Sequence, residues 1–453
     1  MAWGAAISFL GAWPGSVRAA EVTRVVSGFE EGRRFDVAVT LTWSHDWKRA
    51  SIKRESESAA GLELVPDVVY HQSRDVLNAR LEMGVLRDVG IHMDLPYVLR
   101  DDRSLAFDQG AGSACTFGGA TANPTCVNEQ NSSLLRDGIL PGAGQATYGV
   151  DAFHGGAFSR PSTTVFRGPR RSGLESLGFG VSWAPMNQLR DDTKPTWTLG
   201  IDAKLDVGTD MRYDAGDPGG NSGVGLGYHE IVATTFVSKR IGTMDPYFGA
   251  YYVLPITDGG SPFDTTGIGS QPHAAPQHRV GVQIGFEAAG WERPETSQRV
   301  TLEVRAHADH RFEGSSHSEL WEPLSGAVGC GTAGKPACRP GLDEDLNGDG
   351  VPDAYPGVTE TQAFSSLGGD VGLDVQVGKY ARLRSLFGVT ADLSHFITHG
   401  SAGSDLDGDG RVDSANPAEA NPVYRELIDI PGRRFKVEGS TIWTLVVEGS
   451  LMF

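Results

Sequence analysis

The stretch Arg433–Phe453 reads RRFKVEGSTIWTLVVEGSLMF. Every second residue, Phe435, Val437, Gly439, Thr441, Trp443, Leu445, Val447, Gly449, Leu451 and Phe453, builds a row without a single charge. The alternate row is Lys436, Glu438, Ser440, Ile442, Thr444, Val446, Glu448, Ser450 and Met452. A strand sends successive side chains to opposite faces, so the stretch is a strand with one apolar and one mixed face. The apolar face meets either a second sheet or lipid, and the stretch alone leaves both open.

The same alternation recurs along the chain. Phe35 to Trp43 makes a first strand, and a polar segment with Lys48-Arg49 and Lys53-Arg54-Glu55 follows it. Further strands lie at Leu77–Val85, Val89–Leu99, Leu177–Trp183, Trp197–Val207, Ile231–Val237, Val280–Ala288, Val300–Ala308, Leu367–Val377 and Leu383–Leu393, and an aromatic one at Tyr247–Ile256 is apolar on both faces. Pro96 cannot donate to a ladder, which places it at a rim or bulge. Long loops, 101–173, 208–223, 257–276, 312–361 and 398–432, alternate with short turns. A soluble sandwich has no reason to gather its long loops at one end, whereas a membrane barrel does. The reading is therefore all-β: a single transmembrane antiparallel up-and-down β-barrel of about twelve strands, with long extracellular loops and both termini periplasmic. The closing strand, with alternating apolar residues and a terminal Phe453, resembles the last strand of Gram-negative outer-membrane β-barrels of the porin-like class.

Composition agrees. The 453 residues include 60 Gly, useful in turns and bends, and contain no run of about eighteen apolar residues for a helical span. A net charge of −18 argues against nucleic acid as a partner, because a protein that reads its phosphates needs a basic surface. Residues 1–20 hold an apolar run, Trp3–Trp13, then Val17-Arg18-Ala19, which resembles an export signal with its cleavage site. The expected organisation is signal 1–20, periplasmic segment 21–32 and barrel 33–453.

Cys115 and Cys126 form one close pair, Cys330 and Cys338 another, both in Gly- and Ala-rich polar stretches. Local disulfides in an oxidising compartment fit better than zinc, because neither pair has C-x-x-C spacing or an enclosed His. Two loop segments place oxygen ligands at positions one, three, five and nine with Gly at six. They are Asp345, Asn347, Asp349 and Asp353 with Gly350, and Asp405, Asp407, Asp409 and Asp413 with Gly410. Both resemble the calcium repeats of thrombospondin type 3 and dockerin proteins, which implies structural Ca²⁺. Position twelve is Pro356 in one and Asn416 in the other, where a full EF-hand has Glu.

The faces opposite the apolar rows carry both signs: Arg80, Glu82, Asp202, Lys204, Glu303, Arg305, Asp370, Asp374, Arg382, Arg384, Lys436 and Glu438. These are the expected lumen charges, set either to select solutes or to fill the lumen with ion pairs. His307, Asp309 and His310 cluster near one strand end and His92 and Asp94 on another, but no G-x-S-x-G motif accompanies them, so the expectation is not an enzyme. The functional expectation is a porin-like channel or transporter for small solutes. The alternative is a structural barrel in a surface or trans-envelope assembly for secretion, adhesion or motility. Expected partners are outer-membrane lipid and lipopolysaccharide, with envelope proteins through the loops or periplasmic turns.

Overall fold

The computed structural model describes residues 20–30, 33–108, 127, 132–140, 164–213, 218–257, 259–263, 275–327, 342, 355–413, 416 and 418–453. Twelve strands make the wall: β1 (Val37–Ser58), β2 (Gly61–Leu86), β3 (Val89–Phe107), β4 (Ser176–Met186), β5 (Thr196–Asp206), β6 (Tyr228–Ser238), β7 (Met244–Thr257), β8 (Arg279–Arg293), β9 (Gln298–Arg311), β10 (Phe364–Val377), β11 (Ala381–Asp392) and β12 (Phe435–Met452). Each pairs antiparallel with the next, and β12 returns to pair with β1. The seam is sealed at its end by two backbone bonds, Phe453 N to Val37 O at 2.8 Å and Val37 N to Phe453 O at 3.2 Å. The apolar rows face outward: Ile201 and Ile284 are 64% and 63% exposed, alongside Leu41, Val181, Val371, Phe387 and Leu451. A closed antiparallel barrel wrapped in an apolar band is an outer-membrane β-barrel in contact with lipid.

Phe35 does not belong to the wall. It pairs with Gly28 in a short ladder between 28–30 and 33–35, and the first wall strand starts at Val37. The segment from Ala20 lies across the short-turn mouth. Its Thr23 Oγ1 is 2.6 Å from Ser238 Oγ, its Glu21 N donates to Glu287 Oε1 at 2.8 Å, and Arg24 reaches Glu82 at 3.0 Å.

The polar segment expected between the first two strands is itself strand. β1 and β2 run 22 and 26 residues and meet at a two-residue turn, Ala59-Ala60, while β4, β5 and β6 have 11 each. About 9–11 tilted residues cross a bilayer, so β1, β2 and the 19-residue β3 rise well above it. Charge in this region marks a strand leaving hydrocarbon, not a loop. The raised ends keep period two: Ala50, Ile52, Val68, Tyr70, Leu105 and Phe107 are buried, while Arg49 and His71 are exposed.

Those buried faces pack on a second core at the long-loop end, built around Leu320, Trp321 and Leu324 with Leu134, Ile139, Phe166, Tyr355, Ile397 and Ile428. Phe435 and Val437 join it, each 0% exposed. They point inward because a bulge at Gly439-Ser440 inverts the phase of β12. Glu438 pairs with Ser51 but Thr441 with Arg49, and Gly439 takes φ +65. Lys436 and Glu438, expected in the lumen, therefore stand on the outer face, 3.6 Å from each other and with Lys53 2.6 Å from Glu438. Pro96 sits where the partner of β3 changes from β4 to the short strand Arg171–Leu174.

Replacing Trp321 by Ala should cost this long-loop core, the cap of the barrel, about 3–5 kcal/mol while leaving the wall intact. Limited proteolysis in detergent should then cut within 312–361 faster than in the parent, with heat-modifiable gel migration unchanged. Equal cleavage rates would show that Trp321 does not hold the cap together.

Candidate functional site

The barrel interior is the natural site, because period two delivers every second residue of each wall strand into it. Large charged side chains fit there because glycines face them. A Cβ at Gly180 would fall onto Asp202 and the His92 ring, and one at Gly368 onto His307. Below, near the short turns, Arg382 pairs with Asp374 and with Glu21 of the N-terminal segment, and Arg299 lies 3.1 Å from Asp245. In the middle, Glu303 accepts from Arg384 at 2.5 Å and from Tyr247 at 2.7 Å. Asp370 holds Arg305 at 2.8 Å and His307 at 3.1 Å, and His307 reaches Thr390 at 3.0 Å. Above, Lys48 lies 2.7 Å from Glu319 of the cap and 3.4 Å from Asp392.

On the opposite wall, Arg80 contacts Glu82 at 3.1 Å and Asp94 at 3.3 Å, His92 pairs with Asp202, and Lys204 lies 3.3 Å from Glu230. Here the packing is incomplete, leaving a cavity of about 440 Å³ lined by Arg80, Asp94, Asp202, Lys204, Tyr228 and Glu230. Both signs converge on it, an arrangement suited to a small polar or zwitterionic solute rather than a lipid tail.

The cap is locked by buried charges that the linear reading passed over. Arg171, 0% exposed, binds Glu322 at 3.0 Å and the carbonyls of Asn221, Arg212 and Gly223, with its guanidinium 4.8 Å over the Trp321 ring. Arg54 pairs with fully buried Asp137. Nothing in sequence flags such pairs, since their partners are 83 and 151 residues apart. Burial pushes the Asp429 carboxyl up to about 7, against the N–H groups of Arg425 and Gly400. Burial likewise lifts Glu360 to about 7, opposed by its bond from Asn421 and reinforced by the nearby Asp429. Burial and the charges of Arg103 and Arg171 depress His317 to about 3.

Of the expected calcium positions, Asp345, Asn347, Asp349 and Asp353 lie outside the described residues, as do Cys115, Cys126, Cys330 and Cys338. In the second segment, carboxylate oxygens of Asp405, Asp407 and Asp409 converge within 4.8 Å of one another. Asp405 accepts from Gly410 N at 2.8 Å and Gly408 N at 2.7 Å, both glycines holding the left-handed φ that the sharp turn requires. These donors and this turn fit a hard oxygen-loving cation. Asp413 stands apart from the three, its backbone N–H donating to Glu419 at 2.9 Å.

No family model matches the chain, and no curated protein matches it. Among solved structures it is similar to an outer membrane channel from Pseudomonas putida F1, at 7% identity and a TM-score of 0.41, over 96% of this chain and 100% of that one. It is also similar to the outer membrane protease OmpT from Escherichia coli, at 6% identity and 0.28, over 92% and 97%. A FadL homologue from Pseudomonas aeruginosa aligns at 9% and 0.30, over 92% and 90%. The expectation of a non-enzyme is corrected: a protease stands among these similar barrels.

The raised carboxyls fix the sign of the cap's pH dependence. A carboxyl whose folded pKa exceeds its unfolded value stabilises fully below the unfolded pKa, and the contribution is lost as pH rises through about 7. His317 acts oppositely, its contribution lost as pH falls from about 6.5 toward about 3. Asp429→Asn should therefore flatten the fall in cap protection between pH 5 and pH 8, read by hydrogen exchange relative to the parent. An unchanged slope would show that Asp429 ionises freely in the folded cap.

Proposed function

We propose that the barrel is a gated channel or transporter for small polar solutes. The carrying observation is the two-signed lumen cavity in a barrel that has a packed cap at its long-loop mouth and the N-terminal segment across the other. Small solutes rather than macromolecules suit a cavity of about 440 Å³. The orientation this implies sets the long loops outside and both termini in the periplasm, with lipopolysaccharide around the raised rim. Passage requires the N-terminal segment to move, and its attachments are side-chain bonds rather than wall ladders.

The second reading, a sealed structural barrel presenting its loops to an envelope partner, is favoured by the aromatic core and the Arg171–Glu322 pair, which make the cap a folded surface. Single-channel recording separates the two. The parent should show brief, small steps, and deletion of residues 21–32 should give steady, several-fold larger ones. A silent bilayer with both proteins would support the scaffold and contradict transport.

We further propose that structural Ca²⁺ orders the acidic segments, with Asp405, Asp407 and Asp409 as ligands of one site and Asp345, Asn347, Asp349 and Asp353 serving the other, and that Cys115–Cys126 and Cys330–Cys338 close their loops. Titration calorimetry should find calcium heat that disappears in the double variant Asp349→Ala, Asp409→Ala. Heat unaltered by that pair would make both segments acidic turns only.

A further inference from the structure

The outer wall, not the lumen, carries a second arrangement. On the outward row of β1, His45 interrupts an aromatic run between Trp43 and Trp47, with ring centroids 6.0 and 3.9 Å from its own. Across the ladder, His45 pairs with Asp75 and Trp47 with Ser73, so all three polar residues share one outer patch. His45 Nδ1 lies 2.6 Å from Asp75 Oδ1, and His45 Nε2 lies 3.4 Å from Ser73 Oγ. A hydroxyl at one imidazole nitrogen and a carboxylate at the other is the geometry of an activated serine nucleophile.

Its height on the wall is specific. Below it the outward rows are Val37, Val39, Leu41 and Trp43 on β1, facing Met83, Leu81, Ala79 and Leu77 on β2. Above it come Arg49 and His71. The three residues thus sit where hydrocarbon gives way to headgroups, marked by Trp47 and Trp443, 44% and 45% exposed. Polar groups on a lipid-facing row are costly there without a task. Ser73 lines a groove of about 830 Å³ whose walls include Arg49, Arg100, Arg170, Trp47 and Trp443. Arg100 and Arg170 flank Asp102, with Arg170 at 3.6 Å, while Arg49 forms no ion pair among the described residues.

We propose that Ser73, His45 and Asp75 form a hydrolase site on the lipid-facing wall, acting on the acyl esters of a phosphorylated membrane lipid. The groove guanidinium groups bind the phosphate and face the developing oxyanion. Ser73 Oγ attacks the ester carbonyl carbon as its proton passes to His45 Nε2. Collapse of the tetrahedral adduct breaks the ester C–O bond, and the leaving alkoxide takes that proton, departing as a lysolipid. Water then gives its proton to Nε2 and attacks the acyl-serine, releasing the fatty acid and restoring Ser73. Asp75 is a positioning residue, holding the imidazole tautomer with Nε2 free to accept.

The full chain in mixed micelles, assayed separately with dioleoylphosphatidylglycerol and with lipopolysaccharide, should release fatty acid from at least one, and the responding lipid names the substrate. Ser73→Ala and His45→Ala should each lower release at least about 100-fold, and Asp75→Asn should lower kcat with KM little changed. A fluorophosphonate should add its mass to Ser73 in the parent and not in His45→Ala. Each variant's heat-modifiable migration confirms its barrel. No release from either lipid, or release and labelling that survive Ser73→Ala in a folded barrel, would overturn the proposal.

Discussion

Hydrocarbon offers no hydrogen-bond partners, so every peptide group that crosses the bilayer must find its partner within the chain. This constraint governs the molecule. Twelve strands satisfy it only because β12 returns to β1, from Phe435 opposite Arg54 to Met452 opposite Ala38. An open sheet of the same strands would leave two unpaired edges in lipid, each unsatisfied group costing several kcal/mol. Closure in turn forces an inside and an outside on every strand, and the wall's chemistry follows.

The inside is filled rather than hollow. Glycines opposite His92, Asp202 and His307 give the charged side chains room, and paired signs such as Arg305–Asp370 and Arg384–Glu303 keep their burial tolerable. Where packing is incomplete, beside Arg80 and Lys204, a cavity opens. The cap is a separate solution to a separate problem. Above the bilayer water is available, so β1, β2 and β3 can expose one face and bury the other against Trp321 and its neighbours. The chain therefore has one wall solvated by lipid and one conventional core solvated by water.

The existence and order of all twelve strands were legible in the sequence, because period two survives wherever one face meets lipid and the other does not. Four features were not. Lys48, Lys53 and Arg54 looked like loop chemistry, although charge is compatible with strand once it leaves the hydrocarbon. Lys436 and Glu438 were assigned to the lumen by counting through Gly439, and a one-residue bulge reverses such a count without any mark beyond a glycine. The patch of His45, Ser73 and Asp75 was missed because the first strand was ended at Trp43. The only linear signal was one histidine at period two between Trp43 and Trp47. Long-range pairs such as Arg171–Glu322 have no local signature at all.

The seam between the first and last strands is where the account is most exposed, and amide hydrogen exchange in lipid nanodiscs reads it directly. Closure predicts that amides of Val39–Asp46 and Thr444–Leu451 are as slow to exchange as those of the interior pair β8 and β9. Exchange of either stretch within seconds, with β8 and β9 still protected, would mean an open sheet and would contradict a sealed barrel.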